Sequence, residues 1–257
     1  MRLNINNIYN QDCFTYMKTL PKECIDLIIA DFPYNIGKDY GNDSDKQSHE
    51  VHLDNLRKWI SEFYRILKPN GSIFLYSGKQ YYPYCYIYTN ELFNIKNQII
   101  WNYDSSSVQT KTKYGSLYEP IIWAVKRSRG YTFNREFAMV EAKTGAKRKL
   151  IDYRKNPPRP YNTQKVDGDV WSYSRVRYRM PEYTSHPTQK PLSICNRIIQ
   201  VHSNPGDLVY IPFAGSGAEI ESCLINGRNY IATELNNKYI EDIIKPRISE
   251  YKKTIEV

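Results

Sequence analysis

The stretch DLVYIPFAGSG at 207–217, running on toward NYIATEL at 229–235, decides how the rest of this 257-residue chain is read. DLVYIPF (207–213) is a short apolar run of the kind a buried parallel strand shows. Phe213-Ala214-Gly215-Ser216-Gly217 follows as a glycine turn, a helix is expected to about 226, and a second strand ends at Glu234. Glycines in such a turn let the backbone approach a ligand closely, and the helix N-terminus behind it favours an anionic group such as a carboxylate. Glu234 comes 17 residues after Gly217, where an acid can accept hydrogen bonds from ribose hydroxyls. Two glycines alone fit any tight turn. The strand–turn–helix–strand–Glu order is what points to a nucleoside-type cofactor. No GKS or GKT phosphate loop is present, which argues against an ATPase.

Upstream, the same strand-and-helix rhythm is visible. IDLIIADFP (25–33) reads as a buried strand ending in a turn. Leu53, Leu56, Trp59, Ile60, Phe63 and Leu67 fall at helical spacing over 52–68 and are assigned to the core, with KPNG (68–71) as the expected stop. GSIFLYS (71–77), a helix near 80–92, NQIIWNY (97–103) and EPIIWAVK (119–126) continue the series, and a helix near 188–202 precedes the glycine-turn strand. This predicts an open, mostly parallel α/β sheet covered on both faces. Asp31-Phe32-Pro33-Tyr34 then sits at the carboxyl end of a strand, the edge where ligands bind in such sheets. A carboxylate, a main-chain carbonyl and an aromatic ring can serve an exocyclic amine. Asp31 and the Phe32 carbonyl would accept its two N–H bonds, and Tyr34 would stack on a base taken out of the duplex. Taken alone, the tetrapeptide is equally an Asp-initiated turn with a proline.

Composition narrows the classes. At 41% hydrophobic and 25% charged residues a packed core is expected rather than disorder. No run of 18 apolar residues occurs, and the start MRLNINNIYN has no apolar leader core, so a cytoplasmic protein off the membrane is expected. The five cysteines form no CxxC pair and read as reduced core residues; the four histidines show no HExxH or other ligand spacing, so no metal is expected. Between Lys126 and Glu182 there are fifteen Lys/Arg against six Asp/Glu, so the whole excess of +9 sits in one segment. That segment also carries Pro157, Pro158, Pro160 and Pro181 with Tyr153, Tyr161, Trp171, Tyr173 and Tyr178, and it breaks the strand–helix rhythm. Cations interleaved with rings suit a polyanion with stackable bases, although a solvated charged face has the same composition. The expected division is therefore 1–126, an insert at 127–185, and 186–257.

Taken together, ADFPYNIG (30–37), NGSIFLYS (70–77), HPTQKP (186–191), IPFAGSG (211–217) and NYIATELNNKYI (229–240) resemble the motif set of the DNA amino-methyltransferases. Their order, catalytic motif first and glycine loop late, is similar to the circularly permuted β class. WNYDSSSVQ (101–109), KYGSLYEPI (113–121), YTFN (131–134), VEAKTG (140–145), LIDYRKNPPRPYNTQKV (150–166) and RVRYRMPEYTSHPTQKP (175–191) resemble the bacterial YhdJ-type adenine methyltransferases, a subgroup associated with the palindrome ATGCAT. The resemblance implies a permuted Rossmann-like fold, S-adenosylmethionine as cofactor and duplex DNA as partner. It implies direct methyl transfer to adenine N6, with cytosine N4 or a weakened, DNA-binding homologue as alternatives. A homodimer on a palindrome is compatible with it, and a restriction endonuclease partner is left open.

Residue by residue, the resemblance makes Asp31, Phe32, Pro33 and Tyr34 the catalytic motif. It makes Phe213, Ala214, Gly215, Ser216 and Gly217 the loop under the methionine part of the cofactor, and Glu234 with Leu235 the ribose edge. Asp12 and Cys13 fall beside the cofactor adenine, Asp31 touches the same pocket, and Lys190 belongs to the motif that closes it. Lys147, Arg148, Arg154, Lys155, Arg159, Arg175 and Arg177 are the DNA-contact candidates. His186 reads as structural or substrate-adjacent. The chain departs from the family pattern in three places: Phe32 replaces a proline whose fixed φ pre-aims the carbonyl, Ile211 replaces an aspartate, and Ala218-Glu219 replaces a small hydroxyl pair. Glu219 is expected to face the cofactor carboxylate and repel it.

Overall fold

The computed structural model describes residues 3–38, 45–104, 110–143 and 149–255. Strands are numbered in chain order: β1 Asn7–Tyr9, β2 Ile25–Asp31, β3 Leu67–Tyr76, β4 Asn94–Asn102, β5 Tyr118–Val125, β6 Met139–Glu141, β7 Ile151–Asp152, β8 Arg159–Pro160, β9 Gln164–Val166, β10 Val170–Ser172, β11 Leu208–Ile211 and β12 Asn229–Thr233. The helices are α1 Cys13–Met17, α2 His49–Ile66, α3 Tyr82–Leu92, α4 Leu192–His202, α5 Ala218–Ile225, α6 Asn237–Tyr239 and α7 Lys245–Ile255.

Eight strands form one sheet in the order β1-β12-β11-β2-β3-β5-β4-β10. All pairings are parallel except those that β5 makes with β3 and β4. The mostly parallel sheet is therefore as the sequence predicts, with one reversed strand. β4 and β5 pair antiparallel, and among the described residues no helix lies between them.

Both faces are covered because the central strands are apolar on both sides. In β2, Leu27 and Ile29 pack with α4 and α5, while Ile28 and Ala30 pack with α1 and α2. Helix α2 begins at Ser48, whose side chain accepts from the Val51 amide, and buries Leu56, Trp59, Ile60, Phe63 and Ile66 along one stripe. Each such side chain contributes about 1.5–3 kcal/mol by leaving water. The helix stops at Ile66, and Leu67 turns extended at ψ 133°. The expected stop KPNG lies inside β3, because Pro69 forces its predecessor out of the helical region and Lys68 is fixed by Asp26 of β2 at 2.8 Å.

Within 127–185, a 3-10 turn (Arg135–Ala138), two small two-stranded sheets and β10 form. β10 joins the edge of the main sheet through β4, and Trp101 Nε1 donates to the Tyr173 carbonyl at 2.8 Å. The fold places the site at one point. β11 and β2 are adjacent and parallel, yet α5 after β11 packs on one face and α2 after β2 packs on the other. A crevice opens between strand ends whose connections diverge in this way.

Candidate active site

The carboxyl end of β11 continues as Pro212-Phe213-Ala214 and turns through Gly215 (φ +51°) and Gly217 (φ +74°) into α5. A Cβ on Gly215 would lie 3.0 Å from His186 Nε2, and one on Gly217 would lie 3.1 Å from Ile244, so glycine is required by space as well as by φ. The turn is tied to β12: Ala214 N donates to Thr233 O at 3.0 Å, and Gly215 N donates to Glu234 Oε2 at 2.9 Å. Asn236 N donates to the other Glu234 oxygen at 2.8 Å. The acid is thereby locked beside the loop, with lone pairs left for hydroxyl donors. Burial pushes its carboxyl up, and three main-chain amides oppose that.

A cavity of about 300 Å³ lies over this turn. Asp12, Cys13, Phe213, Gly215, Glu234 and Leu235 line one part of it, and Asp31, Phe32, Pro33 and Tyr34 line the other. Asp12 caps α1 by accepting from the Thr15 amide at 2.8 Å. Ala214, Ser216 and Gly217 shape the loop from beneath and are buried rather than lining. Phe32, at 2% exposure, stacks on Trp59 (centroids 5.5 Å apart) and contacts Phe213 (5.8 Å). It wedges the ends of β2 and β11 together. Trp59, read from its spacing as core, is both core and cavity wall. Lys58, Asn55 and Gln47 of the same helical region also line the cavity. Helical periodicity marked that face as buried, but no signal in the sequence marked what it would face.

Lys190 is 4% exposed and lies away from the lining. Its Nζ is 2.6 Å from Asp31 Oδ2 and 3.5 Å from Glu119 Oε2. Tyr34 donates its hydroxyl to Glu119 at 2.8 Å. Burial opposes the lysine charge, but Asp31 and Glu119 outweigh it and hold its pKa above the usual value. Burial raises the Asp31 carboxyl, with Lys190 pulling it back. Glu119, absent from the sequence candidates, sits in β5, 88 residues from Asp31. Glu219 is also buried, at 5% exposure, and does not line the cavity. Burial, the largest cause, pushes it up to about 7; the Asp31 charge also raises it, and Lys190 and Arg247 lower it. Glu219, expected to face the cofactor carboxylate, is thus placed outside the cavity lining. His186 packs edge-on against Tyr239 and lines the cavity; burial first, then Lys190, lowers it to about 4, so it is neutral at pH 7.

Of the DNA-contact candidates, Arg175 lies over the Tyr103 ring at 4.4 Å and Arg177 pairs with Asp104, both at the end of β4. Arg154 is held by Asp152 at 2.8 Å on the exposed β7–β8 hairpin, with Lys155 and Arg159 exposed nearby. Lys147 and Arg148 lie outside the described residues. Among the described residues no cluster could hold a metal, and no helix is long and apolar enough to cross a membrane.

An S-adenosylmethionine-sized ligand is compatible with this donor set. The glycine turn and the fixed Glu234 carboxylate line the cavity, and apolar Phe213 and Trp59 line it with Asp31. Comparison with known proteins agrees. The family described as DNA methylase, with adenine-N6 and cytosine-N4 members in its name, matches residues 25–245. The DNA adenine methyltransferase YhdJ of Escherichia coli strain K12 is 47% identical over 91% of this chain and 80% of its own length. The type II methyltransferase M.HpaI of Haemophilus parainfluenzae is 35% identical over 88% of this chain and 68% of its own. The crystal structure of the M1.HpyAVI–SAM complex superposes with a TM-score of 0.66 at 25% identity, over 94% of this chain and 98% of the other. The strand order, the paired motifs at the ends of β2 and β11, and these matches place the chain in the N6/N4 DNA methylase family.

Proposed function

We propose that this protein is a site-specific DNA methyltransferase that moves the methyl group of S-adenosylmethionine to N6 of adenine in duplex DNA. The observation that carries the reading is Asp31 at the end of β2, sharing one cavity with Gly215 and Glu234. The cofactor supplies an electrophilic sulfonium methyl when bound. Gly215, Phe213, Asp12, Cys13 and Glu234 would hold it, with the loop of Ala214, Ser216 and Gly217 as scaffold. The chain's own contribution is orientation. Asp31 and the Phe32 carbonyl accept the two amine N–H bonds and draw the nitrogen lone pair out of ring conjugation; Tyr34 stacks on the flipped base. An amine freed in this way is already a nucleophile, so no covalent enzyme intermediate is required.

The insert at 127–185 is the target-recognition region in this reading. Arg175 and Arg177 stand beside Tyr103, whose hydroxyl reaches the Tyr118 carbonyl next to Glu119, and are assigned to the DNA near the flipped base. Lys155, Arg159 and Arg154 on the hairpin are assigned to phosphates. The site assigned is ATGCAT, bound by a two-fold dimer, and the protein acts in the cytoplasm at the nucleoid.

Transfer of labelled methyl to an ATGCAT duplex but not to a scrambled one, with N6-methyladenosine recovered on digestion, is the expected result. Recovery of N4-methylcytosine would replace adenine by cytosine as target. Asp31→Ala is expected to abolish transfer while DNA binding persists; wild-type transfer by that variant would refute the assignment of Asp31.

A further inference from the structure

Around the Asp31 carboxylate lie charged groups that the reaction as described does not use: buried Lys190 and Glu219, and half-buried Glu119. Lys190 precedes α4, Asp31 ends β2, Glu119 is in β5 and Glu219 is in the first turn of α5, so four separate elements converge. The ammonium touches Asp31 Oδ2 at 2.6 Å, Tyr34 hydroxyl at 3.4 Å and Glu119 at 3.5 Å, and sits 5.1 Å from the Tyr76 ring centre. Asp31 Oδ1 and the Tyr76 hydroxyl are buried with no hydrogen-bond partner among the described residues. The two oxygens of Asp31 are therefore unlike: one is held, one is open. A buried acceptor left open is costly, and it is sited on the residue whose task is to accept an N–H.

We infer that Lys190 is a positioning residue for methyl transfer: it fixes Oδ2 and keeps the Asp31 carboxylate charged, which leaves Oδ1 to accept the amine N–H, and Glu219 opposes it from beneath the glycine loop. This rests on the methyltransferase reading of the site. The chemistry requires it because an ionised carboxylate accepts at both oxygens, whereas a protonated one carries a donor and orients an amine poorly. Burial acts to protonate Asp31, and Glu119 acts the same way, while burial and then Asp31 raise Glu219. One ammonium contacts two of the three, Asp31 and Glu119. The other groups packed around the cluster are Tyr34, Tyr76 and Cys195, which stay neutral because burial raises them, with Arg247 acting on Glu219 and Lys79 on Glu119. His186 also feels the Lys190 charge and is neutral. Glu219 is the carboxyl best placed to hold a proton near neutrality, since Lys190 contacts Asp31 and Glu119 but not Glu219.

The test reads protonation in two ways, in the full-length enzyme with DNA: kcat against pH, and the ¹³Cγ shift of Asp31 by NMR, assigned by its loss in Asp31→Asn. Lys190→Met is expected to move the acid limb and the carbon titration together to higher pH by about 1–3 units, which below both limbs is a rate loss of about 10- to 1000-fold. Cofactor affinity, by calorimetry, is expected to hold. Lys190→Arg is expected to bring the limb back toward wild type. Glu219→Gln is expected to move it the opposite way, and it decides the matter if Lys190→Met fails to fold. An acid limb that stays in place in both variants overturns the inference. So does a Lys190→Met enzyme with weakened cofactor binding and an unmoved limb, which would make Lys190 a cofactor ligand. If the wild type methylates no DNA, the functional reading falls, and the carbon titration still decides whether Lys190 keeps Asp31 charged.

Discussion

Restoring the family's proline at position 32 is expected to damage this protein rather than improve it. Phe32 is 2% exposed and its ring touches Trp59, Phe63 and Phe213. Truncating a core Phe to Ala costs about 3–5 kcal/mol, and a pyrrolidine ring recovers part of that volume. Phe32→Pro also removes the Phe32 amide that donates to the Tyr76 carbonyl at 3.3 Å, a loss of about 1 kcal/mol. The sum is about 3–5 kcal/mol. For a domain of this size that is a fall in Tm of about 6–20 °C, from about 2–4 °C per kcal/mol. Scanning calorimetry of both proteins, with methyl transfer measured well below both midpoints, gives the answer. A Phe32→Pro protein as stable as wild type and more active would refute the argument that the aromatic wedge has taken over the task of the missing proline.

Gly215→Ala is expected to lose about 1–2 kcal/mol from the left-handed backbone and to displace His186, lying 3.0 Å from the new Cβ; undiminished cofactor affinity by calorimetry would refute this. His202 is buried among Phe74, Trp123 and Phe133, and burial lowers it to about 3, so below pH 6.5 the unfolded chain takes a proton that the fold refuses. Its stabilising effect is present above 6.5 and is lost as pH falls. Between pH 7 and 5, His202→Phe is expected to lose about 2 kcal/mol less than wild type in urea unfolding, and parallel slopes would refute it. Removing Lys155 and Arg159 together is expected to lower the salt dependence of DNA binding by about one unit of slope for each phosphate no longer neutralised, with sequence preference kept. A slope equal to wild type would take that hairpin off the DNA.

The two ends of the site differ in how far the sequence revealed them. Asp31 and the Gly215–Gly217 turn are strand-end signals, each contained in a dozen residues, and the topology brings them together because β2 and β11 are neighbours. The reversed direction of β5 was hidden because a strand's apolar run carries no arrow; among the described residues no helix separates β4 from β5. β10 escaped because three residues, Val170–Ser172, hold no periodicity, and only Trp171 is buried. Lys190 meets Asp31 across 159 positions and Glu119 across 71. No local pattern encodes that meeting. It follows from where β2, β5 and the residues before α4 converge.

The same convergence gives meaning to the two charge changes around the glycine loop. Ile211 ends β11 at 1% exposure in the core, where the family carries a carboxylate. Eight residues later Glu219 introduces one in the first turn of α5, buried and outside the cavity lining, where the Asp31 and Lys190 charges bear on it. A carboxyl is thus absent from the buried end of β11 and present, buried, in the first turn of α5. Asp31 raises the proton affinity of the Glu219 carboxyl, and the buried ammonium of Lys190 opposes protonation of both. Along the chain alone, each substitution looks like damage to one pocket. In the fold they belong to two neighbouring electrostatic problems, and only the second has its counter-charge within 3 Å of the reacting carboxylate.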